Sequence, residues 1–165
     1  MTQHKPDLII ETGTHWGGSA LYLATICSLL NHGEVLSIDL FHKDPLPTHE
    51  RITYLQGSSV SSEINDKVTK IVGENKKVLV ILDSDHTREH VEKELKIYSK
   101  FIRKGDLLIV EDTFLGGHPS HPEHGEGPTE AIEKFLQENS EFCIDKTCEK
   151  FLFTLNYNGF LKRKD

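Results

Sequence analysis

Carboxylates and small polar residues close five apolar runs of this chain. Glu11 follows Leu8–Ile10, Asp39 follows Val35–Ile38, and Gly57-Ser58-Ser59 follows Ile52–Leu55. Asp83 and Asp85 follow Val78–Leu82, and Glu111-Asp112 follows Leu107–Val110. Ligands of open α/β sheets bind outside the carboxyl ends of the strands, so a full set of polar residues there reads as a site. Asp83, Asp85, Glu111 and Asp112 on two neighbouring strand ends would repel one another strongly unless protonated or bridged by a cation. Hard oxygen donors with no cysteine beside them favour Mg²⁺, which keeps positions open for water and a substrate oxygen. Such an ion lowers the pKa of a bound hydroxyl and aims its oxygen. His86, next to Asp85, carries an imidazole matched to taking that proton near neutrality. The bland alternative for His86 is a bond to the helix start.

The first of these strand ends reads Glu11-Thr-Gly-Thr-His-Trp-Gly-Gly-Ser19. A short apolar run breaks at Gly13, and an apolar helical pattern resumes after Gly17-Gly18. Strand, tight turn and helix N-terminus in that order is where α/β proteins hold a cofactor. No Lys follows the last glycine, and the Gly-x-Gly-x-x-Gly pattern needed for a dinucleotide pyrophosphate is absent. A nucleoside cofactor without a phosphate chain fits better, and S-adenosylmethionine is the obvious one. Glu11, Gly13, Thr14, Gly17, Gly18 and Ser19 would form the turn that holds it. Asp39 lies roughly where an acidic residue meets ribose hydroxyls. Gly57, Ser58, Ser59 and Asp83 complete the cofactor side.

These residues need a scaffold, and the pattern supplies one. Uniformly apolar, β-branched runs such as Val78–Leu82 mark central parallel strands covered on both faces. Helical spacing recurs in residues 19–30, which are apolar nearly all round, in 61–73, in Val91, Leu95, Tyr98 and Ile102, and in Ala131, Ile132, Phe135 and Leu136. Gly33 is placed to end the first helix as its C′ residue. Thr87 stands where it would cap the third, and Pro128 where it takes the first position of the fourth. Two strands near 142–144 and 151–157, separated by the polar stretch 145–150, read as a terminal antiparallel hairpin. The chain therefore reads as a Rossmann-like, doubly wound, mainly parallel sheet with a C-terminal hairpin.

Length and composition set outer bounds. A chain of 165 residues reads as one domain, 1–165, long enough to bury roughly 70% of its unfolded surface. A net charge of −7 argues against a nucleic-acid surface. Cys27, Cys143 and Cys148 form no CxxC pair, which fits a reducing compartment. With no leader pattern and no membrane-length apolar run, a cytoplasmic protein is expected.

Taken together, Glu11-Thr-Gly-Thr-x-Trp-Gly-Gly-Ser-Ala-Leu21, Ile81-Leu-Asp-Ser-Asp-His-x-x-x-His-Val91, Leu108-Ile-Val-Glu-Asp-Thr113, Gly127-Pro128 and Phe151-Leu-x-Thr154 resemble the cephalosporin hydroxylase/rhamnosyl O-methyltransferase family. The resemblance runs from Asp7 to Lys162. It implies an S-adenosylmethionine methyltransferase fold, and a divalent cation held by Asp85, Glu111 and Asp112. Asp83 is then left near the cofactor or behind the ligands. Only six residues precede the first strand, where the family usually carries a helical extension that helps cover the site and build homo-oligomers.

Other residues have ordinary readings as well. His90 reads as structural or solvent-facing, and Trp16 as a ligand contact or an anchor of the turn. Phe41, Tyr54 and Tyr157 read as core or rim. His118, His121 and His124 lie in a Gly/Pro-rich loop, 116–127, that reads as a substrate-covering lid rather than a second metal site. The expected function is an S-adenosylmethionine- and Mg²⁺-dependent O-methyltransferase for a hydroxyl of a small molecule such as a sugar or diol, with Asp85 and His86 at the reacting centre. Its rivals are a nicotinamide-dependent oxidoreductase and a cofactor-binding scaffold without turnover.

Overall fold

The computed structural model describes residues 4–151 and 153–165. Its strands are β1 (Leu8–Thr12), β2 (Glu34–Asp39), β3 (Ile52–Gln56), β4 (Val78–Leu82), β5 (Leu107–Val110), β6 (Phe142–Ile144) and β7 (Phe160–Arg163). The helices are α1 (Gly18–Leu29), α2 (Ser62–Val72), α3 (Arg88–Tyr98) and α4 (Pro128–Glu138). One sheet holds the strands in the order β3-β2-β1-β4-β5-β7-β6. The first five pair in parallel, while β7 runs antiparallel to both β5 and β6. This is the doubly wound, Rossmann-like sheet with an inserted antiparallel strand.

The order of strands follows from burial. β1 is buried at every position and β4 at all but one, so the most apolar runs take the centre. Leu8, Ile10, Leu36, Val80 and Leu108 face α2, α3 and α4, while Ile9, Val35, Leu79 and Leu107 face α1. The reversal of strand order beside β1 opens a crevice at the carboxyl edge, and the site residues collect there.

The structure departs from the sequence reading in four places. The second hairpin strand is Phe160–Arg163, and residues 151 and 153–157 form no strand; Leu152, part of the same expectation, lies outside the described residues. The aromatic alternation of that stretch imitates a strand, but the ladder partners of β5 are Phe160, Leu161 and Lys162. Helix α1 is not buried all round: Ala20, Leu23, Ala24 and Cys27 pack on the sheet, while Tyr22 and Leu29 are exposed. Asn31, not Gly33, takes the left-handed C′ position of α1, with φ 47°. It donates to Ser28 O while His32 N donates to Cys27 O, the paired bonds of a Schellman ending. Finally, the Thr87 side chain makes no cap bond to α3. Its backbone N–H donates to Asp85 Oδ1 at 2.8 Å instead.

Pro128 does begin α4, and the Glu130 carboxylate accepts from Gly127 N at 2.7 Å to complete that end.

Candidate active site

The turn after β1 is built against the end of β4. Gly13 has φ 91°, and a Cβ placed there would lie 1.8 Å from the carbonyl oxygen of Asp83. Only glycine allows that approach. Gly13 N donates to Ile38 O and Asp83 N to Thr12 O, so the ends of β1, β2 and β4 are locked together. Beneath the turn, Ser37 Oγ donates to Glu11 Oε2 at 2.7 Å and pairs with Thr14 Oγ1 at 2.7 Å. Glu11 and Thr14 are each 1% exposed. Burial pushes the Glu11 carboxyl above its ordinary range, against the lowering effect of the Ser19 and Ser37 hydroxyls. Glu11 therefore supports the turn from below.

Two cavities open on this platform, and both border Gly13 and Asp39. One, of about 500 Å³, is lined by Thr14, Trp16, Gly18, Ser19, Asp83 and Ser84. The other, of about 320 Å³, is lined by Leu40, Ser58, Ser59, Ser84, Asp85 and His90. Gly17 and Gly57 shape the backbone without lining either. Asp39 is held for its position: its two oxygens accept from His15 N at 2.8 Å and from Phe41 N at 3.2 Å. Trp16 is exposed on the cavity rim, with Lys43 Nζ 4.9 Å above its ring.

At the ends of β4 and β5 the chain gathers Asp83, His86 and Asp112, whose potential ligand atoms all lie within 4.8 Å of one another. His86 Nε2 is 3.4 Å from Asp112 Oδ2 and 3.8 Å from Asp83 Oδ1. Burial, followed by the charges of Glu111, Asp112, Glu11 and Glu94, pushes the Asp83 carboxyl up to about 7. Burial raises Glu111 as well, opposed by its bond from Asn156. A carboxylate so crowded by its own kind fits a divalent cation, and the donor set is hard oxygen with one imidazole.

Asp112 adopts φ 54°, a left-handed conformation that Asp tolerates better than most non-glycine residues. Asn156 braces this turn: its Oδ1 accepts from Asp112 N at 3.0 Å while its Nδ2 donates to Glu111 Oε2 at 2.7 Å. Sequence reasoning placed residue 156 in a strand and missed this clamp; no local signal links it to residues 111 and 112.

Asp85 points elsewhere. It lies on the wall of the smaller cavity, bonded to Thr87 N. Burial alone would raise its carboxyl, but the Thr87 N–H and hydroxyl, with His90 and His86 nearby, hold it below the ordinary carboxylate range. His90 faces the same cavity rather than solvent.

Beyond Asp112, the loop carrying His118, His121 and His124 forms no metal cluster among the described residues. His118 instead pairs with Glu130 at 2.6 Å, and His121 packs edge-on against Phe114. That loop, Glu149 and Phe151, and residues 153–157 border a cavity of about 450 Å³ whose walls include Phe114, His118, Phe151, Phe153 and Tyr157.

A doubly wound sheet with antiparallel β7 between β5 and β6, a glycine turn after β1 and an acid ending β2 defines the S-adenosylmethionine methyltransferase class of fold. Within it, the chain belongs to the rhamnosyl O-methyltransferase/CmcI family, which it matches over residues 1–164. It is 39% identical to a rhamnosyl O-methyltransferase of Mycobacterium leprae over 166 residues, covering 97% of this chain and 72% of that protein. A rhamnosyl O-methyltransferase of Mycobacterium bovis is 38% identical over 170 residues, covering 99% and 69%. Among solved structures, CmcI without ligand superposes with a TM-score of 0.72 at 20% identity, over 99% of this chain and 66% of that one. The mycinamycin-pathway methyltransferase MycE, solved with Mg and S-adenosylhomocysteine, gives 0.63 at 18% identity, over 96% and 45%. The chain thus spans less than half the length of MycE and about two thirds of CmcI.

Proposed function

We propose that this chain is an S-adenosylmethionine- and Mg²⁺-dependent O-methyltransferase acting on a hydroxyl of a sugar or similar small molecule. Family membership and the relatives' activity support the reaction class. The observation that carries it is the placement of Asp83 in two roles: it lines the cavity of the Gly13 turn and belongs to the cluster with His86 and Asp112. A methyl donor seated on the turn therefore faces the residues that would prepare an acceptor oxygen.

Asp83 and Asp112, with Glu111 behind them, would hold the cation; Mg²⁺ bound there would supply Lewis acidity toward the acceptor hydroxyl. Asn156 ties the Asp112 backbone to the Glu111 carboxylate. His86 Nε2, beside both aspartates, would take the acceptor hydroxyl proton, and bound S-adenosylmethionine would supply the methyl group. A sulfonium leaves as a neutral thioether, so no residue is needed to protonate a leaving group. Asp39 would hold the ribose, Thr14 and Ser19 would face the methionine portion, and Asp85 would face the nucleoside. The aromatic cavity that follows Asp112 in the chain is the acceptor side, where Phe114 and Tyr157 offer flat apolar faces to the body of the acceptor.

Calorimetric titration with S-adenosylmethionine, S-adenosylhomocysteine and NAD, with and without Mg²⁺, tests the reading. Both adenosyl compounds should bind, and the ion should bind to the S-adenosylhomocysteine complex. Tight NAD binding with no response to either adenosyl compound would sink it. Adenosyl binding without transfer to any acceptor in a broad hydroxyl library would favour a scaffold.

A further inference from the structure

Under the floor of the smaller cavity lies a charged group that the transfer reaction does not use. Glu94 on α3 is 0% exposed, and its Oε2 has no hydrogen-bond partner. Its Oε1 accepts from Ser84 Oγ at 2.8 Å and lies 3.4 Å from His90 Nε2. The same nitrogen is 3.1 Å from Ser59 Oγ and 3.2 Å from Ser84 Oγ. Tyr98 OH donates to Ser59 O at 2.9 Å, which fixes the backbone that carries the Ser59 hydroxyl. One imidazole nitrogen therefore meets a buried carboxylate and two hydroxyls.

The polarity of this network follows from the carboxylate. A bare Nε2 would aim a lone pair at a buried anion, so the proton resides on Nε2 whether the ring is neutral or charged. The Glu94 hydrogen bond, and after it the Glu94 charge, also raise the affinity of His90 for protons, against the opposing effect of burial. Ser84 directs its own proton to Glu94. Ser59 Oγ, 3.1 Å from a nitrogen that bears a proton, cannot donate to it, and its hydroxyl proton has no other partner among the described residues. Ser59 lines the cavity, so that proton is free to point into it.

We infer that His90, held by the buried carboxylate of Glu94, is a positioning residue that turns the Ser59 hydroxyl into a fixed hydrogen-bond donor toward the nucleobase of the cofactor. The inference rests on the methyltransferase reading. Asp39, shared by both cavities, meets the ribose, and Asp83 marks the sulfonium side. The base must then enter the other cavity, leading with the edge farthest from the ribose. On adenine that edge carries N1, an acceptor. On hypoxanthine N1 bears a hydrogen and would oppose the Ser59 donor.

The test compares S-adenosylhomocysteine with S-inosylhomocysteine by calorimetry. The parent protein should favour the adenine compound on the order of a hundredfold, as sites with a committed polar group do. Ser59→Ala should weaken S-adenosylhomocysteine binding by about tenfold, the loss of one hydrogen bond, and bring the ratio below about tenfold. His90→Ala, with Ser59 free to rotate, should lower the ratio while adenine affinity falls only a few-fold. Because His90→Ala strands the Glu94 charge and can impair folding, the imidazole ¹⁵N shifts of His90 in the unaltered protein provide a second arm. A protonated Nε2 is expected; a bare Nε2 overturns the inference. So does equal affinity of the parent for the two nucleosides. Failure of the parent to bind S-adenosylhomocysteine at all removes the methyltransferase reading itself, and the two failures are thereby separate.

Discussion

On the β1–β3 half of the carboxyl edge, the acids are satisfied by their own chain. Glu11 accepts from Ser37, and Asp39 accepts from two backbone N–H groups. On the β4–β5 half, Asp83 and Asp112 approach each other with only His86 between them, and Asp83 is pushed up to about 7. The first half is complete as folded, as suits a nucleoside held mainly by shape and a few hydrogen bonds. The second half crowds its carboxylates together, a repulsion that a bound cation would relieve. Similar residue types thus give a preorganised cradle on one side and a charge trap on the other.

The comparison breaks most sharply at Asp112. Replacing it with Asn should lower transfer by at least about a hundredfold and weaken Mg²⁺ binding similarly, with S-adenosylhomocysteine affinity within about threefold of the parent. Calorimetry of ion and nucleoside on the same sample reads both; an unchanged Mg²⁺ affinity would remove the cation from this half. Asn156→Ala should cost less, about tenfold in turnover and in Mg²⁺ affinity, since it frees Asp112 and Glu111 without removing a donor oxygen. If turnover is unaffected, the clamp does no work.

The smallest effect is on stability. Between pH 4 and 7, as flagged by the ordinary value of 3.8 and the folded value of about 7, the folded chain keeps a proton on Asp83 that the unfolded chain has lost. Rising pH therefore destabilises the metal-free protein across that window. Because the Asp83 side chain is 40% exposed, solvent screening limits the contribution to about 1 kcal/mol, or about 2–4 °C in Tm. Thermal melts in chelator at both ends of the window should show that loss, and Asp83→Asn should erase it. The same slope in parent and variant would place the strain elsewhere.

Much of this architecture was legible in the chain. Five apolar runs each ending in polar residues, with helical spacing between them, predict a parallel sheet and one polar edge, because burial demands those patterns. Position was harder where pattern and pairing disagree. Phe151–Tyr157 alternates aromatic residues like a strand, yet Phe160–Arg163 takes the place between β5 and β6 despite its Lys and Arg. Ladder partners, not side-chain alternation, selected it. The Asn156 clamp and the contact of His90 with Ser59 were equally silent, since each joins residues from separate elements.

What the sequence by itself determined is the order of chemistry along the edge: turn, ribose acid, serines, and two acidic strand ends. Only the tertiary structure decided which of the acids meet. Asp83 and Asp85 stand two residues apart in one short segment, and local pattern treats them alike. Asp83 N is tied to Thr12 at the crevice, which leaves its carboxylate toward Asp112, while Thr87 N draws Asp85 to the opposite wall. The Asp85 bond is a local turn between residues two apart, but the Asp83 bond forms only after the chain folds back on itself, and that no residue pattern encodes.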